Sequence, residues 1–216
     1  MATRRKTPGT KGNELAEADA RTASLARETG ETNVSVTVNL DGQGQYDVDT
    51  GNGFLDHMVS QVARHGLFDI TLKAKGDVHT GWHHLVEDVA IMLGRTFNQA
   101  LGDARGIRRM GHAIVPLDET LAMVSVDFSG RPYAVVETTL EGVMVETLPG
   151  DLVRHFLESF ATEGKLNLHA KVLAGESPHH KAEALCKALA RALRDAVELD
   201  PRAPGQVPST KGTITG

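Results

Sequence analysis

Two stretches decide the fold: HHLVEDVAIMLGRTFNQALGD, from His83 to Asp103, and HHKAEALCKALARALRDAVELD, from His179 to Asp200. Each opens with His-His-x-x-Glu and continues with apolar residues at helical spacing. Val86, Val89, Ile91, Leu93 and Phe97 mark the first helix; Leu185, Leu189, Leu193 and Val197 mark the second. The same register extends upstream. DHMVSQVARHGLFDITLKAKGD (Asp56 to Asp77) lies over RHFLESFATEGKLNLHAKVLAGE (Arg154 to Glu176), with His57 over His155 and Gly66 over Gly164. In each, a helix is expected to end at that Gly as at a C-cap, and an alternating strand follows. Further upstream, ETNVSVTVNLDG (Glu31 to Gly42) lies over ETLAMVSVDFSG (Glu119 to Gly130). Both alternate apolar and polar residues and end in a turn signal, so each reads as a strand entering a hairpin.

The order strand–strand–helix–strand–helix therefore recurs, and the chain reads as a tandem duplication of class α+β with ββαβα-type halves. The expected organisation is a polar arm over residues 1–25, a first half over 26–112, a second over 113–205 and a tail over 206–216. Within the arm, ELAEADARTASLA (Glu14 to Ala26) has the composition of a short helix.

Composition narrows the function classes. The 216 residues suffice for a well-packed core. A net charge of −5 argues against a nucleic-acid binder. The single cysteine, Cys186, allows no internal disulfide and fits a reducing compartment; its helical position is that of a core residue. The N-terminus is basic, but no apolar stretch follows it, so it is not a secretory signal. No run of about 20 apolar residues is available to span a membrane.

Ten histidines, four of them in the two His-His pairs, point to metal. On a helix, residues three and four apart share a face and neighbours do not. His83 and Glu87 can grip one ion together, while His84, turned about 100° away by the 3.6-residue period, faces another. His179, Glu183 and His180 repeat the demand. With His57 and His155 the set is six His and two Glu, a donor mix suited to Mn, Fe or Zn. His79, His112 and His169 lack such support and read as core or surface residues.

These residues, in this order and spacing, resemble the imidazoleglycerol-phosphate dehydratase family from about Arg27 to Thr213. The landmarks are RETGET (Arg27 to Thr32), FLDHMVSQVARHG (Phe54 to Gly66), HHLVED (His83 to Asp88), RGIRRMG (Arg105 to Gly111), PLDE (Pro116 to Glu119), DFSGRP (Asp127 to Pro132), HHKAEA (His179 to Ala184) and PSTKG (Pro208 to Gly212). The resemblance implies two four-stranded sheets with helices packed between them, and a cytoplasmic enzyme of histidine biosynthesis. It also implies a 24-subunit shell built from trimers, with active sites where subunits meet.

By the same resemblance, two Mn²⁺ ions serve each active site. One is held by His57, His84, His179 and Glu183, the other by His83, Glu87, His155 and His180. The substrate binds as an imidazolate, which cations favour over the neutral ring. Glu31 is the implied catalytic acid/base, and Glu119, its repeat partner, is structural. Arg109, Arg131, Ser209, Thr210 and Lys211 are the implied phosphate contacts, and Gln61, His65 and Lys187 the other substrate contacts. The chain departs from the family pattern at Trp82, Leu85, Ser177-Pro178 and Cys186, positions that bear on ligand orientation rather than on ligands. A dinuclear metallohydrolase and a metal-storage protein are the rival readings. The first is usually richer in Asp, and the second has no use for Arg109, Arg131 and PSTKG.

Overall fold

Inward-facing valines build the first sheet. In β2 (Thr32–Asn39) Val34, Val36 and Val38 are buried and the residues between them face out, the alternation a half-covered strand requires. The computed structural model describes residues 21–214. β2 is flanked by β1 (Thr22–Glu28) and β4 (Asp69–Gly76), and β3 (Tyr46–Asp49) runs parallel to β4. The order is β1-β2-β4-β3. The second half repeats it with β5 (Met110–Leu117), β6 (Thr120–Asp127), β10 (Asn167–Ala174) and β7 (Tyr133–Glu137), in the order β5-β6-β10-β7. An insertion in the second half adds a two-stranded ribbon, β8 (Met144–Val145) with β9 (Leu148–Pro149).

Four helices lie between the sheets. α1 (Gly53–Gly66) and α2 (His83–Leu101) pack on the first sheet; α3 (Asp151–Glu163) and α4 (Pro178–Val197) pack on the second. Across the middle, α1 packs on α4 and α2 on α3. Leu55, Met58, Phe97, Phe156, Phe160 and Leu185 are fully buried there. Of the residues that marked the helical stripes, only Ile91 is left partly exposed.

The fold is duplicated α+β with two four-stranded sheets, and four details depart from the sequence reading. Each half holds three strands of its four-stranded sheet before its first helix, with the β8–β9 ribbon added in the second, because β1 and β5 were missed. β1 begins at Thr22, inside the span read as an arm, and excludes a helix over Thr22–Ala26; Glu14–Ala20 lies outside the described residues. β2 and β6 leave hairpins rather than enter them, so Glu31 and Glu119 sit in the turns just before them. β5 starts at Met110, ahead of the expected boundary at 112/113.

The glycines at the helix ends also act differently. Gly164 has φ −74°, and the left-handed residues are the ones that follow, Leu67 at φ 57° and Lys165 at φ 52°. Gly66 and Gly164 are needed for space. A Cβ on Gly66 would lie 2.3 Å from the Phe68 ring, and one on Gly164 would lie 2.9 Å from Phe160 O.

Gly94 sets the approach of α2 to α3: a Cβ there would lie 2.6 Å from Phe160 O and 2.9 Å from Gly164 N. Alanine would gain about 1 kcal/mol of helix propensity. Overpacking against backbone, which cannot swing aside, costs about 1–3 kcal/mol or more. Gly94→Ala is therefore expected to lower the unfolding midpoint by several degrees, roughly 2–4 °C per kcal/mol for a chain of this size, as read by calorimetry. An unchanged or raised midpoint would contradict the close approach.

Candidate metal centre and anion cavity

Capping chemistry places the first ligand. Asn52 accepts from the N–H groups of Phe54 and Leu55 and starts α1, and its Oδ1 also accepts from Thr147 Oγ1 of the other half at 3.1 Å. His57 follows in the first turns of α1. At α4, Ser177 caps by accepting the His180 N–H at 3.3 Å, and Pro178 occupies the first helical turn, where its missing N–H costs nothing. The departure Ser177-Pro178 thus starts the helix soundly. α2 begins at Trp82 with no side-chain cap. Leu85 and Cys186 are buried, and burial pushes the Cys186 thiol up to about 12, so it is core and not nucleophile.

The helix pairing then gathers six ligand candidates into two threes, each drawn from both halves. His57 of α1 meets His179 and Glu183 of α4: Glu183 Oε2 lies 3.0 Å from His57 Nε2 and 3.1 Å from His179 Nε2. His83 and Glu87 of α2 meet His155 of α3. The His83 and His155 rings stack with centroids 4.6 Å apart, and His155 Nε2 lies 3.5 Å from Glu87 Oε1. That Nε2 is buried without a hydrogen-bond partner. A buried lone pair aimed at a carboxylate and another imidazole is the expected state of a metal ligand before its metal. The donor set therefore fits a divalent ion.

His84 and His180 stand outside these two groups, and His84 forms a third with Glu31 and Asp77. Their rings stand edge-on to His83 and His179, at 84° and 89°, as the 100° helical step requires. Each is held through Nδ1; His180 Nε2 in turn lies 3.8 Å from Asp118 Oδ2. His84 Nδ1 donates to Asp77 at 3.1 Å, with Glu31 3.8 Å away; His180 Nδ1 donates to Glu119 Oε2 at 2.7 Å. His179 Nδ1 likewise donates to Glu146, at the turn of the β8–β9 ribbon, at 3.1 Å. Such carboxylates set the tautomer and orientation of a ligand. Sequence reasoning missed Asp77 and Glu146. Neither follows from the repeat, because Asp77 aligns with Glu176, which holds no histidine, and Glu146 lies in the insertion. His79, His112 and His169 are exposed.

Charges are distributed accordingly. The hydrogen bond to Asp77 raises the His84 pKa, and that to Glu119 raises the pKa of His180. The His180 ring and the N–H groups of Ser177 and Glu176 hold the Glu119 carboxyl far below the usual carboxylate range. Burial would raise Glu183, but the Lys187 ammonium at 2.7 Å and His57 outweigh it and bring the carboxyl down to about 2. Burial first, then the charge of Lys187, lowers His65; its Nε2–H donates to Gln61 Oε1 at 3.0 Å, and Gln61 Nε2 reaches His57 Nδ1 at 3.4 Å. Glu31 is exposed, and among the described residues its carboxylate accepts no hydrogen bond.

The anion residues form a separate cavity of about 580 Å³, lined by Arg109, Arg131, Pro208, Ser209, Thr210 and Lys211, among others. Arg109 also organises the cavity. Its Nε and Nη2 grip Asp127 at 2.7 and 3.0 Å, and its Nη1 donates to Pro208 O at 2.9 Å. The Arg109 N–H bonds Ala196 O near the end of α4. At 1.5 Å per residue that point lies about 24 Å along α4 from His180.

The chain has clear relatives. A profile described as imidazoleglycerol-phosphate dehydratase matches residues 50–193. A curated protein of that name from Dehalococcoides mccartyi (strain CBDB1) is 57% identical over 194 residues, covering 90% of this chain and 97% of the relative. One from Albidiferax ferrireducens is 52% identical over 200 residues, covering 93% and 98%. Among solved structures, imidazoleglycerol-phosphate dehydratase from Staphylococcus aureus aligns with a TM-score of 0.75 at 31% identity, over 83% of this chain and 99% of that one. The enzyme from Pyrococcus furiosus, solved in complex with (S)-C348, aligns with a TM-score of 0.75 at 33% identity, over 88% and 99%.

The low Glu183 pKa carries a pH dependence for the metal-free chain. A carboxyl at about 2 in the fold against 4.5 in the free residue contributes stability above pH 4.5 that is lost as pH falls towards 2. Urea midpoints of the metal-free protein are expected to drop through that window more steeply than those of Glu183→Gln. Parallel curves would mean the carboxylate is not held by Lys187 and His57.

Proposed function

The chain belongs to the imidazoleglycerol-phosphate dehydratase family, hydro-lyases of histidine biosynthesis, and on that premise we propose how its residues serve the reaction. Two Mn²⁺ ions are held per active site. His57, His179 and Glu183 with a neighbouring subunit's His84 hold one; His83, Glu87 and His155 with a neighbouring subunit's His180 hold the other. The observation that carries this reading is the pair of three-donor groups drawn from both halves, with two further imidazoles, His84 and His180, standing outside them and each held through Nδ1 by a carboxylate. When bound, cations held by these residues would supply positive charge that favours the anionic form of the substrate ring and so would help the neighbouring hydroxyl to leave.

The chain's own residues do the rest. Asp77, Glu119 and Glu146 hold His84, His180 and His179 through Nδ1, which presents Nε2 as the ligating nitrogen. Glu31, free and exposed, carries the proton taken from the substrate carbon. Arg131, Ser209, Thr210 and Lys211 receive the phosphate, and Arg109 secures the loop that presents them. His65, with its pKa lowered, is neutral at pH 7 and steadies Gln61 beside His57.

The distance along α4 supports a shared active site. A substrate of one imidazole, three carbons and a phosphate cannot reach about 24 Å. The cavity of one copy therefore serves the clusters of another, in a symmetric homo-oligomer, proposed as the 24-subunit shell. The metallohydrolase reading calls for more carboxylate than the two helix-paired groups offer, one each among three donors; among the described residues the group with two is Glu31, Asp77 and His84. No helix of the described residues is long and apolar enough to cross a membrane; a cytoplasmic setting suits the single buried thiol.

Metal-stripped protein reloaded with Mn²⁺ is expected to convert imidazoleglycerol phosphate to imidazoleacetol phosphate, with no product in the metal-free control. His84→Ala is expected to lose at least about tenfold in Mn²⁺ affinity and to shift the assembly to smaller species, read by metal analysis and light scattering. A full complement of metal in that variant would overturn the crossed-ligand arrangement. Arg109→Ala is expected to raise KM by about tenfold or more, since it removes the charged hydrogen bond to Pro208 O that secures the phosphate loop, worth about 1.5–3 kcal/mol; an unchanged KM would remove the cavity from substrate binding.

A further inference from the structure

The two halves hold repeat-related glutamates in opposite states. Glu119 accepts from Thr120 Oγ1 at 3.0 Å, from the N–H groups of Glu176 and Ser177 at 3.2 and 2.9 Å, and from His180 Nδ1 at 2.7 Å. Glu31 accepts no hydrogen bond on its carboxylate among the described residues, is 58% exposed, and stands 3.8 Å from His84 Nδ1, a loose pair beside the 2.7 Å bond of Glu119 to His180. Yet both stand in a hairpin turn directly before a buried threonine, Thr32 and Thr120.

The threonine hydroxyls go to different places. Thr120 Oγ1 turns to Glu119. Thr32 Oγ1 turns towards α2 and donates to Asp88 Oδ2, while Asp88 Oδ1 accepts from Arg27 Nη1. The neighbouring strands record the same reversal. A Cβ on Gly76 would meet the Thr32 methyl at 3.3 Å, whereas one on Gly175 would meet the Thr120 hydroxyl at 2.3 Å. The repeat position of Asp88 on α4 is Ala184, which offers no acceptor. Of the differences between HHLVED and HHKAEA, Asp88 against Ala184 is the one that touches the buried threonine.

We infer that Asp88 is a positioning residue for Glu31: it takes up the Thr32 hydroxyl and the Arg27 guanidinium, the two donors that flank the Glu31 turn, and so keeps that carboxylate free to carry a proton. Buried at 7% exposure, Asp88 needs both donors to satisfy its own charge. Thr32 Oγ1 has a single proton to give, so what Asp88 accepts cannot be given to Glu31. Glu119, without such a competitor, has become a clamp for His180. The inference rests on the reading of Glu31 as proton carrier, and the test separates the two.

The Mn²⁺-loaded assembly would be compared as wild type, Asp88→Ala, Asp88→Asn, Asp88→Ala with Thr32→Val, and Glu31→Gln, reading kcat, KM, Mn²⁺ content and melting temperature. Asp88→Ala is expected to lose about tenfold or more in kcat, with KM within about twofold and Mn²⁺ content unchanged. Adding Thr32→Val, which removes the hydroxyl that would capture Glu31, is expected to restore at least about threefold of that loss. Asp88→Asn still accepts from Thr32 and is expected to stay within about threefold of wild type. A double variant no faster than Asp88→Ala, or a kcat loss that tracks lost Mn²⁺ or a raised KM, overturns the inference. If Asp88→Ala does not assemble, Asp88→Asn decides alone: near wild-type kcat supports the inference, and a tenfold loss with Mn²⁺ retained overturns it. Wild-type kcat in Glu31→Gln would sink the proton-carrier reading and the inference with it. A slow Glu31→Gln beside an unrescued double variant would sink the inference only.

Discussion

Helix pairing across the two halves is the constraint on which the site depends. α1 packs on α4 and α2 on α3, so each cluster combines a histidine from the middle of one sequence block with a His-x-x-x-Glu pair from the other half. Buried Phe97, Phe156 and Phe160 and the close approach at Gly94 hold that pairing. Ligands brought together by packed helices are placed more rigidly than ligands on loops.

The proposed sharing of sites between copies follows from this arrangement. His180, in the first turn of α4, and Ala196, whose carbonyl accepts from the Arg109 N–H beside the cavity, lie about 24 Å apart along the helix. His84 and His180 stand outside the two helix-paired groups, each held through Nδ1 by a carboxylate. On that proposal function is linked to assembly, because donors left incomplete in a single copy favour association with others that complete them.

Duplication supplied the symmetry, and divergence supplied the chemistry. Both halves keep the sheet order, the helix pair and the His-His-x-x-Glu start. They differ where roles must differ: Asp88 against Ala184, a longer turn at Glu31 than at Glu119, and a β8–β9 ribbon that brings Glu146 to His179 in the second half only.

Periodicity determined much by itself. Period two in the strands and 3.6 in the helices revealed the repeat, and the register of His57 with His155 and of the two His-His-x-x-Glu motifs named the donors of both helix-paired groups, but not Asp77 of the third. The i, i+4 rule paired His83 with Glu87 and His179 with Glu183, and the 100° step turned His84 and His180 away. These are local facts, set by backbone geometry within a few residues. What only the tertiary structure decided depends on contacts between distant segments. β1 and β5 carried too few local signals, and their edge positions come from pairing with β2 and β6. Gly66 and Gly164 read as caps, but the chain needed them for room against packed neighbours. Asp77, Glu146 and the unequal fates of Glu31 and Glu119 arise from hydrogen bonds between residues that no short-range rule connects. A sequence reports what a residue can do along its own element; which groups compete for one proton is settled only when the elements pack.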